Sequence, residues 1–116
     1  MITGIHHIAI ISSAESSVSF YKRLGFEEFK RIDRDNDTVI LLKGYDMELE
    51  MFIDSSHPKR SFPEPLGLRH IALRVNNIED TAKELDLNIG KIMMDWVGER
   101  FAYITDPDGN VIELHE

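Results

Sequence analysis

The feature that most restricts how this chain can fold is an internal repeat. Gly4-Ile5-His6-His7-Ile8-Ala9-Ile10 can be laid on Gly67-Leu68-Arg69-His70-Ile71-Ala72-Leu73 at an offset of 63 residues, with four identities and two Ile/Leu exchanges. The same offset sets Leu49-Glu50-Met51 on Ile112-Glu113-Leu114, so each half carries a His followed 43 residues later by a Glu. One short match arises easily by chance; a second at the same offset does not. Three of the four prolines (Pro58, Pro63, Pro65) crowd residues 54–66 between the halves. That stretch reads as the linker, with module 1 at 1–53 and module 2 at 67–116 of one domain.

Both halves show the same order of elements. The apolar, β-branched run 5–11 predicts a strand. Ser12 with Glu15 three residues on has the form of a capping box, and Val18, Tyr21 and Leu24 then keep a helical spacing until Gly25 stops it. Strands are expected over 26–31, 38–43 and 47–53. The second half repeats this with a strand over 68–75, a helix over 78–85, and strands over 89–94, 101–105 and 111–115. Asp106-Pro107-Asp108-Gly109 turns the last two into a hairpin. The expected class is α+β, two βαβββ modules.

Alternation along a strand sorts residues by face. His7 shares a face with Ile5, Ala9 and Ile11, and His70 shares one with Leu68, Ala72 and Arg74, opposite the apolar Ile71, Leu73 and Val75. Leu49, Met51 and Ile53 form an apolar face that leaves Glu50 on the reverse; Ile112 and Leu114 do the same for Glu113. All four repeated residues therefore point away from the helix-packed side. If a pseudo-twofold axis relates the halves, two His and two Glu converge inside a cup formed by curved mixed sheets. Imidazole nitrogens and carboxylate oxygens suit one divalent ion, Ni, Zn, Co, Mn or Fe, with two octahedral positions left for water or substrate. The other histidines read differently. His6 falls on the opposite face and corresponds to Arg69, His57 lies in the linker, and His115 shares the face of Glu113 about 6.5 Å further along.

Composition narrows the chemistry. The 116 residues include no cysteine, which removes disulfide scaffolds, Cys-ligated zinc, iron–sulfur clusters and thiol nucleophiles. With 13 Lys+Arg against 21 Asp+Glu, the net charge of -8 repels phosphate backbones, so nucleic acid is not an expected partner. The opening Met1–His7 has no basic region leading into a long apolar stretch, and no run approaches a membrane span; the expectation is a soluble, cytoplasmic protein with a small-molecule site.

Several of these segments together resemble the glyoxalase, bleomycin-resistance and dioxygenase superfamily, also called the vicinal oxygen chelate superfamily. They are His7-Ile8-Ala9-Ile10, Phe20-Tyr21-Lys22-Arg23-Leu24-Gly25-Phe26, Leu49-Glu50-Met51-Phe52, Gly67-Leu68-Arg69-His70-Ile71-Ala72, and Asp106-Pro107-Asp108-Gly109-Asn110-Val111-Ile112-Glu113-Leu114. The resemblance spans essentially the whole chain, and the Asp-Pro-Asp-Gly turn before a Glu strand is its most specific part. It implies paired βαβββ modules around a metal held by His7, Glu50, His70 and Glu113.

A fourth protein ligand, Glu50, tilts the resemblance toward glyoxalase I and the related epimerases. Ring-cleaving dioxygenases are similar to a two-His, one-carboxylate site with more open positions. In glyoxalase-type lyase or isomerase chemistry, the metal polarises a carbonyl and stabilises an enediolate while a nearby carboxylate, Glu113 or Glu50, moves the proton. One departure concerns glutathione. Bacterial glyoxalase I typically carries Arg four residues after its first ligand His and Asn four after its first ligand Glu, where this chain has Ile11 and Asp54. Arg74, the repeat partner of Ile11, is either an anion-binding substrate contact or an exposed strand-edge arginine. The expected substrate is a small α-oxo compound or another hemithioacetal. Other readings are a ring-cleaving dioxygenase, a fosfomycin-type thiol transferase and a metal-free sequestering protein. Modules of this superfamily pair within a chain or between chains, and a homodimer is expected.

Overall fold

Each half of the repeat folds as a strand, a helix and three further strands in a computed structural model that describes residues 1–116. The chain divides into two units, Met1–Pro58 and Lys59–Glu116. The first contains β1 (His7–Ser12), α1 (Glu15–Arg23), β2 (Glu27–Asp33), β3 (Thr38–Gly44) and β4 (Met47–Ile53). The second contains β5 (Ile71–Arg74), α2 (Ile78–Glu84), β6 (Met93–Met94), β7 (Arg100–Thr105) and β8 (Val111–His115). Strand order is β1-β4-β3-β2 in one sheet and β5-β8-β7-β6 in the other. In each, the first strand runs parallel to the last and the remaining pairs are antiparallel. This is the expected α+β class with two βαβββ modules, and no helix is long and apolar enough to cross a membrane.

Burial follows the alternation. Ile10, Ile40, Leu42, Leu49 and Met51 are buried in the first unit with Val18 and Tyr21 of α1, while Ile11 stays half exposed. Ala102, Ile104, Ile112 and Leu114 are buried in the second with Ile78 of α2. Fully burying one such aliphatic side chain contributes about 1.5–3 kcal/mol. This apolar face fixes register, because a slip of one residue would put Glu50 or Glu113 inside.

Turn chemistry completes the frame. Gly25 ends α1 at φ 112°, and a Cβ there would stand 2.1 Å from Tyr45 Oη, whose hydroxyl donates to the Leu24 carbonyl. The β7–β8 hairpin is organised by buried Asp106, which accepts bonds from Asp108 N, Asn110 N and Asn110 Nδ2.

Three local expectations are corrected. Ser12 does not cap α1: it is the buried end of β1, its carbonyl accepts from Asp54 N, and Ala14 takes the N-cap place without a side-chain bond. Glu15 is turned instead to Arg31. β5 starts at Ile71 rather than at residue 68, because the Leu68 and Arg69 carbonyls accept from the Arg60 guanidinium rather than from a neighbouring strand. β6 shrinks to two residues, with Gly90 N bonding Tyr103 O outside it.

Candidate metal centre

In the first unit, parallel pairing sets Ala9 opposite Glu50. With only a methyl there, the carboxylate has room to lean toward His7, and His7 Nδ1 lies 3.3 Å from Glu50 Oε2. The second unit repeats the arrangement: Ala72 is opposite Glu113, and His70 Nε2 lies 3.4 Å from Glu113 Oε1. The Glu113 side chain is 13% exposed and that of Glu50 26%. The imidazole nitrogen facing the carboxylate differs, Nδ1 in one and Nε2 in the other.

The separations can be set beside two arrangements, and gaps of the same size also occur at His57–Asp54 and His115–Glu99. A charge-assisted N–H···O bond closes to about 2.7–2.9 Å. Two ligand atoms each about 2.1 Å from one ion stand about 3.0 Å apart at a right angle and about 3.4 Å at the tetrahedral angle. The observed gaps lie beyond the bond and within reach of adjacent coordination positions. Neutral imidazole and ionised carboxylate are also the donor set a divalent ion of the Mn-to-Zn series accepts. Each pair therefore fits a metal ion as two of its ligands.

The surroundings of the pairs differ. Beside His7 lies exposed His6, its Nδ1 2.9 Å from His7 Nδ1 and 3.6 Å from Glu48 Oε2. The expected opposite-face placement of His6 is corrected here: β1 begins at His7, so strand alternation does not govern the residue before it. Around His70 the second unit forms a cavity of about 190 Å³. Arg60, Phe62, Glu64, Arg69 and Tyr103 line it with His70. The Tyr103 ring packs edge-on against His70 at 5.6 Å and belongs to the residue registered opposite Glu113. Tyr103 was accessible to the alternation argument, since the residue facing Glu113 across a hairpin shares its face. Arg60 carried no such signal; it sits in the proline-rich segment read as a spacer.

Other singled-out residues fall elsewhere. Arg74 ends β5, exposed, registered with His115 and outside the cavity lining. Asp54 is held below the usual carboxylate range by the Ser56 N–H, and His57 stands 3.4 Å from it. His115 belongs to a group that the sequence did not reveal, with Asp95 and Glu99. Its Nε2 is 3.1 Å from Asp95 Oδ2, and its Nδ1 is 2.8 Å from the Glu116 carbonyl and 3.3 Å from Glu99 Oε2. Oxygen acceptors at both nitrogens favour the imidazolium, and the His115 pKa is raised chiefly by the bond to Asp95. Asp95 is lowered, first by the Glu99 N–H it accepts. The ligand atoms of the three residues all lie within 4.8 Å of one another, close enough to hold a metal ion, and their bonds also tie the β6–β7 loop to β8.

Comparison with known proteins agrees with this frame. The family model for the Glyoxalase/Bleomycin resistance protein/Dioxygenase superfamily matches residues 4–114. The chain is 35% identical over 126 aligned positions to the uncharacterized protein YwkD of Bacillus subtilis (strain 168), a match covering 100% of this chain and 98% of that one. It superposes on the crystal structure of a glyoxalase family protein from Enterococcus faecalis with TM-score 0.88 and 37% identity, covering 97% of each chain. Two more distant structures share the fold. One is lactoylglutathione lyase from Agrobacterium tumefaciens, at TM-score 0.69 and 19% identity over 99% of this chain and 94% of that one. The other is the fosfomycin resistance protein FosX from Listeria monocytogenes, complexed with Mn(II) and a dihydroxypropylphosphonic acid, at 0.75 and 20% over 99% and 92%.

Proposed function

The chain belongs to the Glyoxalase/Bleomycin resistance protein/Dioxygenase superfamily, and from that premise we propose that it is a divalent-metal-dependent lyase or isomerase of glyoxalase type, acting on a small α-oxo or hemithioacetal substrate. The observation that carries the reading is the repeated pair, His7–Glu50 at 3.3 Å and His70–Glu113 at 3.4 Å. These four residues would hold one ion, Ni, Zn, Co, Mn or Fe. When bound, such an ion supplies Lewis acidity toward a substrate carbonyl. The chain's own contribution is proton transfer: a carboxylate takes the proton from the carbon beside that carbonyl and returns it to the neighbouring position. Glu113, the more enclosed of the two, is the first choice for this base and Glu50 the second. Tyr103 fixes the His70 ring by edge-on packing. Arg74, exposed at the end of β5, is a secondary substrate contact. Glutathione is disfavoured as the thiol, because Ile11 offers no cation and Asp54 presents a carboxylate to an acidic tripeptide. The protein in this reading is a cytoplasmic homodimer.

Metal content measures the site directly. Protein purified without chelator is expected to carry about one divalent ion per pair of modules, and His7→Ala and His70→Ala each to lose most of it. Equal metal in the wild type and the His7→Ala/His70→Ala double variant would refute the ligand set.

A further inference from the structure

Arg60 forms no ion pair with an acidic side chain, although its charge is felt by Glu64. Its Nη2 donates to the Leu68 and Arg69 carbonyls, each at 3.1 Å. Its Nε is shut off from water and bonds to nothing. A guanidinium has five N–H donors, and a buried donor left without an acceptor is costly, so native structures rarely keep one without a reason. Arg69, the other cation of the cavity, is already paired with Glu64 at 2.8 Å. The cavity lining thus has one excess positive charge, on Arg60, in a chain of net charge -8.

We propose that Arg60 is the anion receptor of the site and that the substrate is a small 2-oxo or 2-hydroxy carboxylate. Its carboxylate occupies the Nη1 donors of the guanidinium and its neighbouring oxygen is directed to His70. This rests on the metal-centred reading above and adds the substrate class to it. The charge requires an anion. The cavity, about 190 Å³, has room for a carboxylate of three or four carbons. With Nη2 spent on the two carbonyls and Nε enclosed, Nη1 is the donor left to a carboxylate. The walls beyond it, Phe62 and Val111, accept a short alkyl end.

The test is an NMR titration of ¹⁵N-labelled protein, metal-free and Zn(II)-loaded, with lactate and with lactamide, its uncharged counterpart. Lactate is expected to shift the Arg69, His70 and Tyr103 amide resonances and to bind at least tenfold more tightly than lactamide. Arg60→Gln should weaken lactate by about ten- to a hundredfold, the range for a lost charge-assisted contact, and leave lactamide unchanged. Arg60→Lys should recover part of the loss. Wild-type lactate affinity in Arg60→Gln, absence of lactate binding, or equal affinity for lactate and lactamide would overturn the assignment. If Arg60→Gln unfolds the second unit, the lactate preference of the wild type and its decline with added salt decide the matter. Zinc that fails to bind while the Arg60-dependent preference persists in the metal-free protein removes the metal reading alone. Bound zinc without that preference removes this one alone.

Discussion

Replacing Asp106 by Ala tests how the β7–β8 hairpin is held, and with it the strand that carries Glu113. The Asp106 residue is 4% exposed and accepts three bonds of 2.9 Å, from Asp108 N, Asn110 N and Asn110 Nδ2. A bond to a charged acceptor contributes about 1.5–3 kcal/mol singly, but three bonds on one carboxylate share its orientation and are not additive. The truncated side chain also leaves partly enclosed N–H groups without acceptors. A loss of about 2–4 kcal/mol follows. For a chain of this length 1 kcal/mol moves the melting midpoint by about 4 °C, so a drop of about 8–16 °C is expected. Asp106→Asn keeps one oxygen for the two backbone donors and forfeits the charge, and should cost about half as much. Urea unfolding followed by circular dichroism reads both, with a shifted midpoint at unchanged slope. An Asp106→Ala protein within about 0.5 kcal/mol of wild type, the scatter of ordinary surface substitutions, would refute the reasoning.

The remaining expectations concern strain, acid stability, catalysis and assembly. Gly25→Ala places a Cβ 2.1 Å from Tyr45 Oη at φ 112°, and thermal melting should show a loss of about 1–3 kcal/mol. Glu28 is held down to about 2 by Arg31 first and Lys22 second, from an ordinary value of 4.5. Its pairing therefore stabilises the fold fully above about 4.5 and is lost as pH falls toward about 2. Because the pair faces solvent, the effect is below about 1 kcal/mol; acid titration of wild type and Glu28→Gln should show a gap at pH 6 that closes by pH 2. Glu113→Gln or Glu50→Gln should lower turnover about 10²- to 10⁴-fold; oxygen uptake with catechol-like substrates would move the chain to the dioxygenase branch. Mixing inactive His7→Ala with inactive His70→Ala should restore part of the activity if ligands are shared between chains, and none if each chain completes its own site.

Alternation and the repeat made the strands bearing the paired residues legible. β4, β7 and β8 each place a charged or polar residue between buried aliphatics, a pattern that one face of a sheet imposes and no helix reproduces. β6 was overdrawn because an apolar stretch does not say how many of its residues join a ladder; Met93 and Met94 do, while Gly90 makes one isolated bond to Tyr103. The helix cap misled for a similar reason. Ser12 and Glu15 have the right spacing, but Ser12 is taken up as the end of β1, its carbonyl accepting from Asp54 N, and the Glu15 carboxylate is turned to Arg31, two tertiary outcomes invisible to a local motif. In the candidate site, His7, Glu50 and Glu113 lie within strands, where parity gives their face, whereas His70 precedes β5 and was reached through the repeat. Arg60 was reached by neither, because a loop residue has no period. Its position depends on which carbonyls the chain leaves unpaired after Gly67.

The repeat keeps the ligand pair and changes the charge around it. At the offset of 63 residues, His6 is replaced by Arg69 and Glu48 by Val111, while His7, Ala9 and Glu50 recur as His70, Ala72 and Glu113. The first pair is thereby left beside a second imidazole and a second carboxylate, groups that attract a cation. The second pair faces a cavity with a guanidinium that forms no ion pair, which attracts an anion. Two copies of one motif thus differ in the sign of their nearest charges, although the chain as a whole is acidic. Charge exchange between the halves follows from this contrast: Val111→Glu should weaken anion binding at His70 by bringing a carboxylate against Arg60.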